Sequence, residues 1–213
     1  MSDLKWKIDC NRCALLVIDM QNDFVLNGAI MEVPEAKRQI PKIKELIDNC
    51  RKLNIPIIYT VHQTDPVYNP LEIASFPHLK DAGMRAGTDG IKVVSDLAPQ
   101  HNDYVLQKRR YSAFFQTDLE LILRNIHAHG NDEDGRVRPA VDTLIICGTV
   151  TNICCESTAR DAYYRDYKVV FGSDICSALT KAQHDASLVN MNLFGQVMDC
   201  DSIIKGLAGA DDA

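Results

Sequence analysis

The stretch TLIICGTVTNICCESTARDA, residues 143–162, contains a strand, a tight turn and the beginning of a helix. Residues 143–147 form an apolar run of the kind that a strand buried on both faces presents. The turn GTVTNI follows, and residues 153–166 have the apolar spacing of a helix. A buried strand that turns directly into a helix is typical of a parallel α/β fold.

The same alternation extends in both directions along the chain. Residues 14–18 (ALLVI) are too short a run for a helix, rich in β-formers, and end at Asp19. Further elements are predicted as strands at 55–61, 103–107, 168–172 and 196–198, and as helices at 34–54, 117–127 and 181–194. Strands that alternate with helices imply a parallel sheet with helices on both faces.

Two segments interrupt this alternation. Residues 62–102 contain Pro66, Pro70, Pro77 and Pro99, and we interpret them as an excursion over the carboxyl edge of the sheet. Long loops at such an edge are often functional. Residues 129–142 (HGNDEDGRVRPAVD) form a polar insertion that we expect to be a solvated surface loop.

Length and composition favour one α/β domain spanning residues 1–213, with 46% hydrophobic and 24% charged residues. The net charge of −6 and the lack of a long basic run make nucleic acid an improbable partner.

We expect a cytoplasmic protein, because no signal peptide and no apolar stretch of roughly 18 residues is found. Its eight cysteines are then thiols, and the Cys10 and Cys13 pair favours core packing over zinc.

Reactive side chains follow three of the predicted strands. Asp19 comes after residues 14–18, Lys108 comes after residues 103–107, and Cys154 and Cys155 follow residues 143–147 through the turn. Because ligands gather at the carboxyl ends of parallel strands, these groups can meet in one pocket. Taken singly, the aspartate could be a cap, the lysine a surface charge and each cysteine a core residue.

Together these groups have a coherent chemistry. A cation and a helix N-terminus both lower the pKa of a thiol, and both are available to a cysteine in this turn. Asp19 could accept the thiol proton and pass it to a leaving amine, while Lys108 would favour the thiolate and keep Asp19 ionised. Backbone amides of the turn could hold a developing oxyanion.

Helical spacing distinguishes the two cysteines. If residues 153–166 are helical, one stripe is apolar and should face the core; it consists of Cys155, Thr158, Ala159, Ala162 and Tyr163. Cys154 lies about 100° round the helix, on the face of Ser157 and Asp161. Cys154 is therefore the better candidate for a nucleophile.

These residues resemble the isochorismatase-like cysteine hydrolases. The motifs ALLVIDMQNDF, KRRYSAFFQTDLELIL and ICGTVTNICCESTARDAYYRDYKVV carry the resemblance over nearly the whole chain. It implies a six-stranded parallel sheet, a three-layer αβα fold and a catalytic triad of Asp19, Lys108 and Cys154. It also implies a cis peptide between Thr149 and Val150, with the amides of Val150 and Cys154 as the oxyanion hole. A homodimer or homotetramer is expected.

The resemblance also bears on the substrate, which we expect to be a small molecule. The nicotinamidases of the superfamily bind a metal through an Asp and two His, and His62, Asp65 and His78 depart from that pattern, so no cofactor or metal is expected. The complete triad favours hydrolysis of a C–N bond, and RYSAFF most resembles enzymes of ureidoacrylate, biuret and N-carbamoyl compounds. Candidate substrate contacts are Phe24, His62, Tyr111, Phe115 and Arg109, with Arg110 as an alternative to Arg109.

Other functions remain open from the sequence. An isochorismatase-type vinyl ether hydrolase would need an acid but not the thiol. A nicotinamidase-like amidase would use the same triad on a different amide. A redox or interaction protein could use the two adjacent thiols without Asp19 or Lys108.

Overall fold

The computed structural model describes residues 5–127 and 139–209. Its centre is a six-stranded sheet in which every pairing is parallel, in the order β3-β2-β1-β4-β5-β6. The strands are β1 (Cys13–Ile18), β2 (Ile57–His62), β3 (Tyr104–Lys108), β4 (Thr143–Thr149), β5 (Lys168–Ser177) and β6 (Gln196–Met198). The sequence-based prediction of the fold class is confirmed.

Helices connect these strands. They are α1 (Asn22–Val25), α2 (Ala36–Lys52), α3 (Pro70–Ser75), α4 (Leu119–Asn125), α5 (Glu156–Tyr163), α6 (Lys181–Phe194) and α7 (Cys200–Ala208). The sequence did not predict α7, and it predicted one helix over 153–166 where a π-helical turn, Thr151–Cys155, precedes α5. No helix of the described ranges is long and apolar enough to cross a membrane.

Alternation along β1 divides the interior into two cores. Cys13, Leu15 and Val17 face α2 and α7, whereas the residues between them face α4, α5 and α6. Every residue of β1 is buried, which explains its continuous apolar sequence. The sheet is therefore the middle layer of a three-layer arrangement.

One sequence expectation needs correction. Tyr163 does not face the core, because it lies at the end of α5 with 47% of its surface exposed and packs edge-on against Phe194. The excursion over 62–102 contains α3, and its Val93 forms an isolated antiparallel bridge with Gln21, which follows β1. The predicted insertion at 129–142 lies mostly outside the described residues.

The sheet order reverses direction between β1 and β4, which is where open α/β sheets bind ligands. Gly148 near the end of β4 has φ +117°, and a Cβ atom on it would lie 2.0 Å from the Ile18 carbonyl oxygen. The absence of a side chain thus lets β4 approach β1 where both strands end.

Replacing Gly148 by Ala should destabilise the protein strongly, because both the backbone conformation and the contact with Ile18 forbid a side chain. Gly148→Ala should lower the free energy of unfolding by more than about 3 kcal/mol. Gly28→Ala is the matched control, since Gly28 has φ +75° with open space around it, and should cost only about 1 kcal/mol. Denaturant unfolding of the two variants measures the difference, and equal losses would contradict the steric argument.

Candidate active site

Asp19 occupies the carboxyl end of β1 with a strained backbone. Its φ is +49°, a left-handed conformation that costs a residue other than glycine about 1–2 kcal/mol. Thr60 of the neighbouring strand holds it in place, because its hydroxyl donates to Asp19 Oδ1 at 2.6 Å and accepts from the Asp19 amide at 3.1 Å. The other carboxylate oxygen, Oδ2, is left to face the site.

Lys108 is the last residue of β3, an edge strand two positions from β1. Neighbouring strands are about 4.8 Å apart, so a long side chain is needed to cross β2. The Lys108 Nζ lies 2.7 Å from Asp19 Oδ2, and both side chains have no exposed surface. The two charges therefore compensate each other inside the protein.

Cys154 lies in the π-helical turn after β4. Its Sγ is 3.4 Å from Lys108 Nζ, and the residue is 3% exposed. Cys155 faces away from this pair, towards Cys176 of β5. The structure thus brings Asp19, Lys108 and Cys154 together and leaves Cys155 outside the group.

Burial determines the protonation of these groups. It raises the pKa of Cys154 well above its ordinary value, and the Asp19 carboxylate adds to this while Lys108 opposes it. From the sequence we expected a lowered pKa, but the loss of solvent outweighs the nearby cation. Burial acts to lower the pKa of Lys108, yet Asp19 and Cys154 raise it overall, so the ammonium form is retained.

A second polar group lies beside Lys108 and centres on His62 at the end of β2. Its Nδ1 is 3.4 Å from Lys108 Nζ, and its Nε2 is 2.9 Å from Glu72 Oε1. The Asn69 amide donates to Glu72 Oε2 at 3.0 Å and to the Arg109 carbonyl at 2.7 Å. The sequence singled out neither Glu72 nor Asn69, because the proline-rich excursion has no periodicity that would place them.

The predicted substrate contacts are not all near the thiol. The Tyr111 ring lies 6.2 Å from the His62 ring, close to Lys108. Phe24 is 4% exposed and belongs to the core beneath α2. Phe115 and Arg109 line a cavity of about 130 Å³ beside β3, which Lys108 also lines and where the Arg109 guanidinium stacks over Tyr68 at 4.0 Å.

A larger cavity of about 290 Å³ adjoins the His62 group. Glu72, Tyr111, Arg110 and Leu71 are among the residues that line it. Glu72 forms a hydrogen bond with His62 and the Tyr111 ring lies beside the His62 ring, so this cavity is next to the His62 group. Its size suits a small molecule.

The turn before Cys154 has the backbone that the resemblance implies. The Thr149–Val150 peptide is cis, and the Val150 carbonyl accepts from the amides of Ile153 at 3.0 Å and Cys155 at 3.2 Å. The Thr149 hydroxyl donates to the Asp19 carbonyl at 2.9 Å, which ties this turn to the end of β1. The assignment of the Val150 and Cys154 amides to an oxyanion hole stays a prediction.

No metal cluster is formed by the residues that the structure describes, in the sense that no three His, Cys, Asp or Glu side chains are placed to share an ion. His62 contacts Glu72, whereas His78 Nε2 lies 3.0 Å from the Met31 sulfur. That the protein needs no metal stays a prediction.

The fold and the grouping of side chains at its carboxyl edge define a hydrolase of the isochorismatase-like class. The chain belongs to the isochorismatase family, because the isochorismatase domain matches residues 13–202.

Individual relatives have different activities in their names. The chain is 29% identical to nicotinamidase 3 of Arabidopsis thaliana over 92% of its own length and 89% of the relative's. It is 30% identical to the ureidoacrylate amidohydrolase RutB of Serratia proteamaculans, over 92% and 82% of the two chains. A cysteine hydrolase from Pseudomonas syringae pv. phaseolicola has a crystal structure with TM-score 0.87, 29% identity and coverage of 99% and 100%.

Removing one member of the buried ion pair should cost more than removing both. Lys108→Met leaves the Asp19 carboxylate buried without its cation and should lower the free energy of unfolding by about 3–5 kcal/mol. Adding Asp19→Asn should recover more than half of that loss, as measured by denaturant unfolding.

The control for this cycle is Lys92→Met. Lys92 forms an ion pair with Asp89 on the surface, where 66% and 88% of the two side chains are exposed. Solvent already screens that pair, so this substitution should leave stability nearly unchanged. A double variant no more stable than Lys108→Met alone would show that the charge is not the cause.

Proposed function

We propose that this protein hydrolyses C–N bonds in small amide or ureido compounds, with Cys154 as nucleophile, Asp19 as proton carrier and Lys108 as the charge that stabilises both. One observation carries the proposal: Lys108 Nζ lies within 3.4 Å of both Asp19 Oδ2 and Cys154 Sγ, in a buried group. A nucleophile, an acid or base and a cation in contact suit acyl transfer.

Attack begins from the thiol rather than the thiolate, because burial raises the pKa of Cys154. Cys154 Sγ bonds to the carbonyl carbon while its proton passes to Asp19 Oδ2, the carboxylate oxygen that Thr60 does not hold. The carbonyl oxygen becomes an oxyanion, for which the amides of Val150 and Cys154 are the proposed donors. Each such donor typically contributes about 3–4 kcal/mol to the stability of the transition state.

Collapse of this intermediate breaks the C–N bond. The leaving nitrogen takes the proton from Asp19 and departs as ammonia or an amine, which leaves an acyl thioester on Cys154. Water then attacks the thioester and gives one proton to Asp19, from which the sulfur recovers it. One amide and one water yield one acid and one amine, with the enzyme restored.

The substrate class is supported by a sequence similarity and by the cavity beside Tyr111. The segment KRRYSAFF is similar to that of enzymes of ureido and carbamoyl compounds, and one relative is named as a ureidoacrylate amidohydrolase. The cavity of about 290 Å³ beside Tyr111 suits a small ligand. Arg110 lines that cavity, and its guanidinium could pair with a substrate carboxylate.

The choice of nucleophile is tested by two adjacent substitutions. With a panel of ureidoacrylate, biuret, N-carbamoyl amino acids and nicotinamide, ammonia release identifies the substrate that wild type accepts. Cys154→Ala should then lower kcat/KM at least about a thousandfold, whereas Cys155→Ala should stay within about threefold because its thiol only packs. Intact mass of a trapped adduct gives the acyl half.

Two results would contradict the proposal. Loss of activity in Cys155→Ala but not in Cys154→Ala would show that Cys154 is not the nucleophile. Turnover of isochorismate by Cys154→Ala at the wild-type rate, with no activity on the amide panel, would indicate ether hydrolysis by the acid alone.

The proposed reaction requires no metal step. Prolonged treatment with EDTA followed by gel filtration should leave kcat and KM for the accepted amide within about twofold of untreated enzyme, because the proton carrier and the oxyanion donors all belong to the chain. The same treatment of a metal-dependent amidase is the control. Loss of activity that zinc, manganese or iron restores would contradict this part of the proposal.

A further inference from the structure

The Lys108 ammonium is surrounded by more hydrogen-bond acceptors than it has hydrogens to donate. Four acceptors of the described residues surround Nζ: Asp19 Oδ2 at 2.7 Å, the Arg110 carbonyl at 3.1 Å, and His62 Nδ1 and Cys154 Sγ, both at 3.4 Å. An ammonium has three hydrogens and accepts none. The two shorter contacts take two of them, so His62 and Cys154 compete for the third.

The tautomer of His62 is fixed from both sides of its ring. A proton on Nδ1 would point at the Lys108 ammonium, so Nδ1 has to be the acceptor. Nε2 then carries the proton and donates it to Glu72 Oε1 at 2.9 Å. Burial acts to raise the pKa of Glu72, but its hydrogen bond and electrostatic interaction with His62, the hydrogen bond from Asn69 and the charge of Lys108 lower it overall, which keeps the carboxylate an acceptor.

We propose that Glu72 and His62 are a positioning pair that holds the third Lys108 hydrogen away from Cys154 in the resting enzyme. This inference rests on the proposed function, whose triad it extends to two residues that touch neither the thiol nor the carboxylate. His62 is buried and Glu72 is partly buried, with 1% of the His62 side chain and 13% of the Glu72 side chain exposed.

The pair controls when the cation assists the sulfur. A neutral thiol is a weak acceptor, so the third hydrogen stays on His62 Nδ1 while the site is at rest. When the thiol proton passes to Asp19 the sulfur becomes anionic and a stronger acceptor, and the hydrogen turns from His62 to Cys154. Lys108 thus stabilises the charge on sulfur as it develops, without creating a reactive thiolate beforehand.

Alkylation of Cys154 by iodoacetamide tests the pair without any substrate. Removing the acceptor in His62→Leu should leave the third hydrogen to Cys154 and lower the pKa of the thiol by about one to two units. The thiolate gains about tenfold in population per unit but loses part of this in nucleophilicity. Alkylation between pH 7 and 9, followed by peptide mass mapping, should be roughly three- to tenfold faster than in wild type.

Matched variants separate positioning from packing. His62→Asn places an oxygen at the same number of bonds from Cα as Nδ1, so its rate should stay within twofold of wild type. Glu72→Gln can still accept from His62 Nε2 through its amide oxygen and should also resemble wild type. Glu72→Leu leaves the His62 ring without the hydrogen bond that holds it against Lys108, so its alkylation rate should rise above the wild-type rate, in the direction of His62→Leu. Both Glu72 variants lose the same charge and the oxygen that accepts from Asn69, so their difference isolates the hydrogen bond to His62.

Cys155 provides an internal control in every sample, because it is the adjacent buried thiol and lies outside the Lys108 contacts. Its alkylation should not change. A His62→Leu rate no higher than that of wild type, measurable or below detection, would overturn the proposal. So would a parallel increase at Cys155, which indicates a loosened fold, or an Asn variant as fast as the Leu variant.

The alkylation experiment stays decisive if a variant fails to fold or if no substrate is found. If His62→Leu does not fold, the comparison of Glu72→Gln with Glu72→Leu decides the question, with equal rates overturning the pair. Failure to find an amide substrate would count against the proposed function alone, because alkylation of Cys154 requires no turnover.

Discussion

The ion pair between Lys108 and Asp19 is the interaction on which the rest of the site depends. Its two charges have no exposed surface, and removing such groups from water costs several kcal/mol each. That cost is offset only where every remaining hydrogen and lone pair finds a partner. The hydroxyl of Thr60 and the carbonyl of Arg110 supply such partners, so the geometry of neighbouring strands is tied to the pair.

The same absence of solvent determines how the thiol behaves. In water a lysine beside a cysteine would favour the thiolate, but here burial has the larger effect and raises the pKa of Cys154. Under the proposed mechanism the sulfur is therefore activated by a proton transfer to Asp19 during attack. A buried thiol that stays protonated at rest is also protected from oxidants, which react with thiolates.

Much of the fold and the grouping of side chains at the centre of the candidate site could be predicted from the sequence, because both depend on local patterns. Continuous apolar runs mark β1 and β4 as strands buried on both faces, and Asp19 and Cys154 follow these two strands. Lys108 ends β3, an edge strand in which most residues are exposed. Tyr163 was placed wrongly in the core because periodicity shows only that it lies on the same helix face as the buried residues. It does not show that the end of this face is exposed to solvent.

Other properties of the site depend on contacts between distant segments. Glu72 lies 10 residues from His62 in an excursion without periodicity, and only the folded chain places its carboxylate against the ring. The pKa of Cys154 was predicted in the wrong direction for a related reason. The sequence shows that a cation and a helix start are near, but it does not show that water is excluded.

The positions of the strands within the sheet affect how the substrate specificity of such a protein can change during evolution. The proposed nucleophile and proton carrier follow the two central strands, β4 and β1, whose approach Gly148 permits. The cavity of about 290 Å³ is lined by residues of the excursion and by Arg110 and Tyr111, which follow the edge strand β3. Substitutions in that outer region can alter which molecule is accepted while the reacting atoms stay in register. A single scaffold can in this way give rise to enzymes with unlike substrates, as the names of the relatives of this chain illustrate.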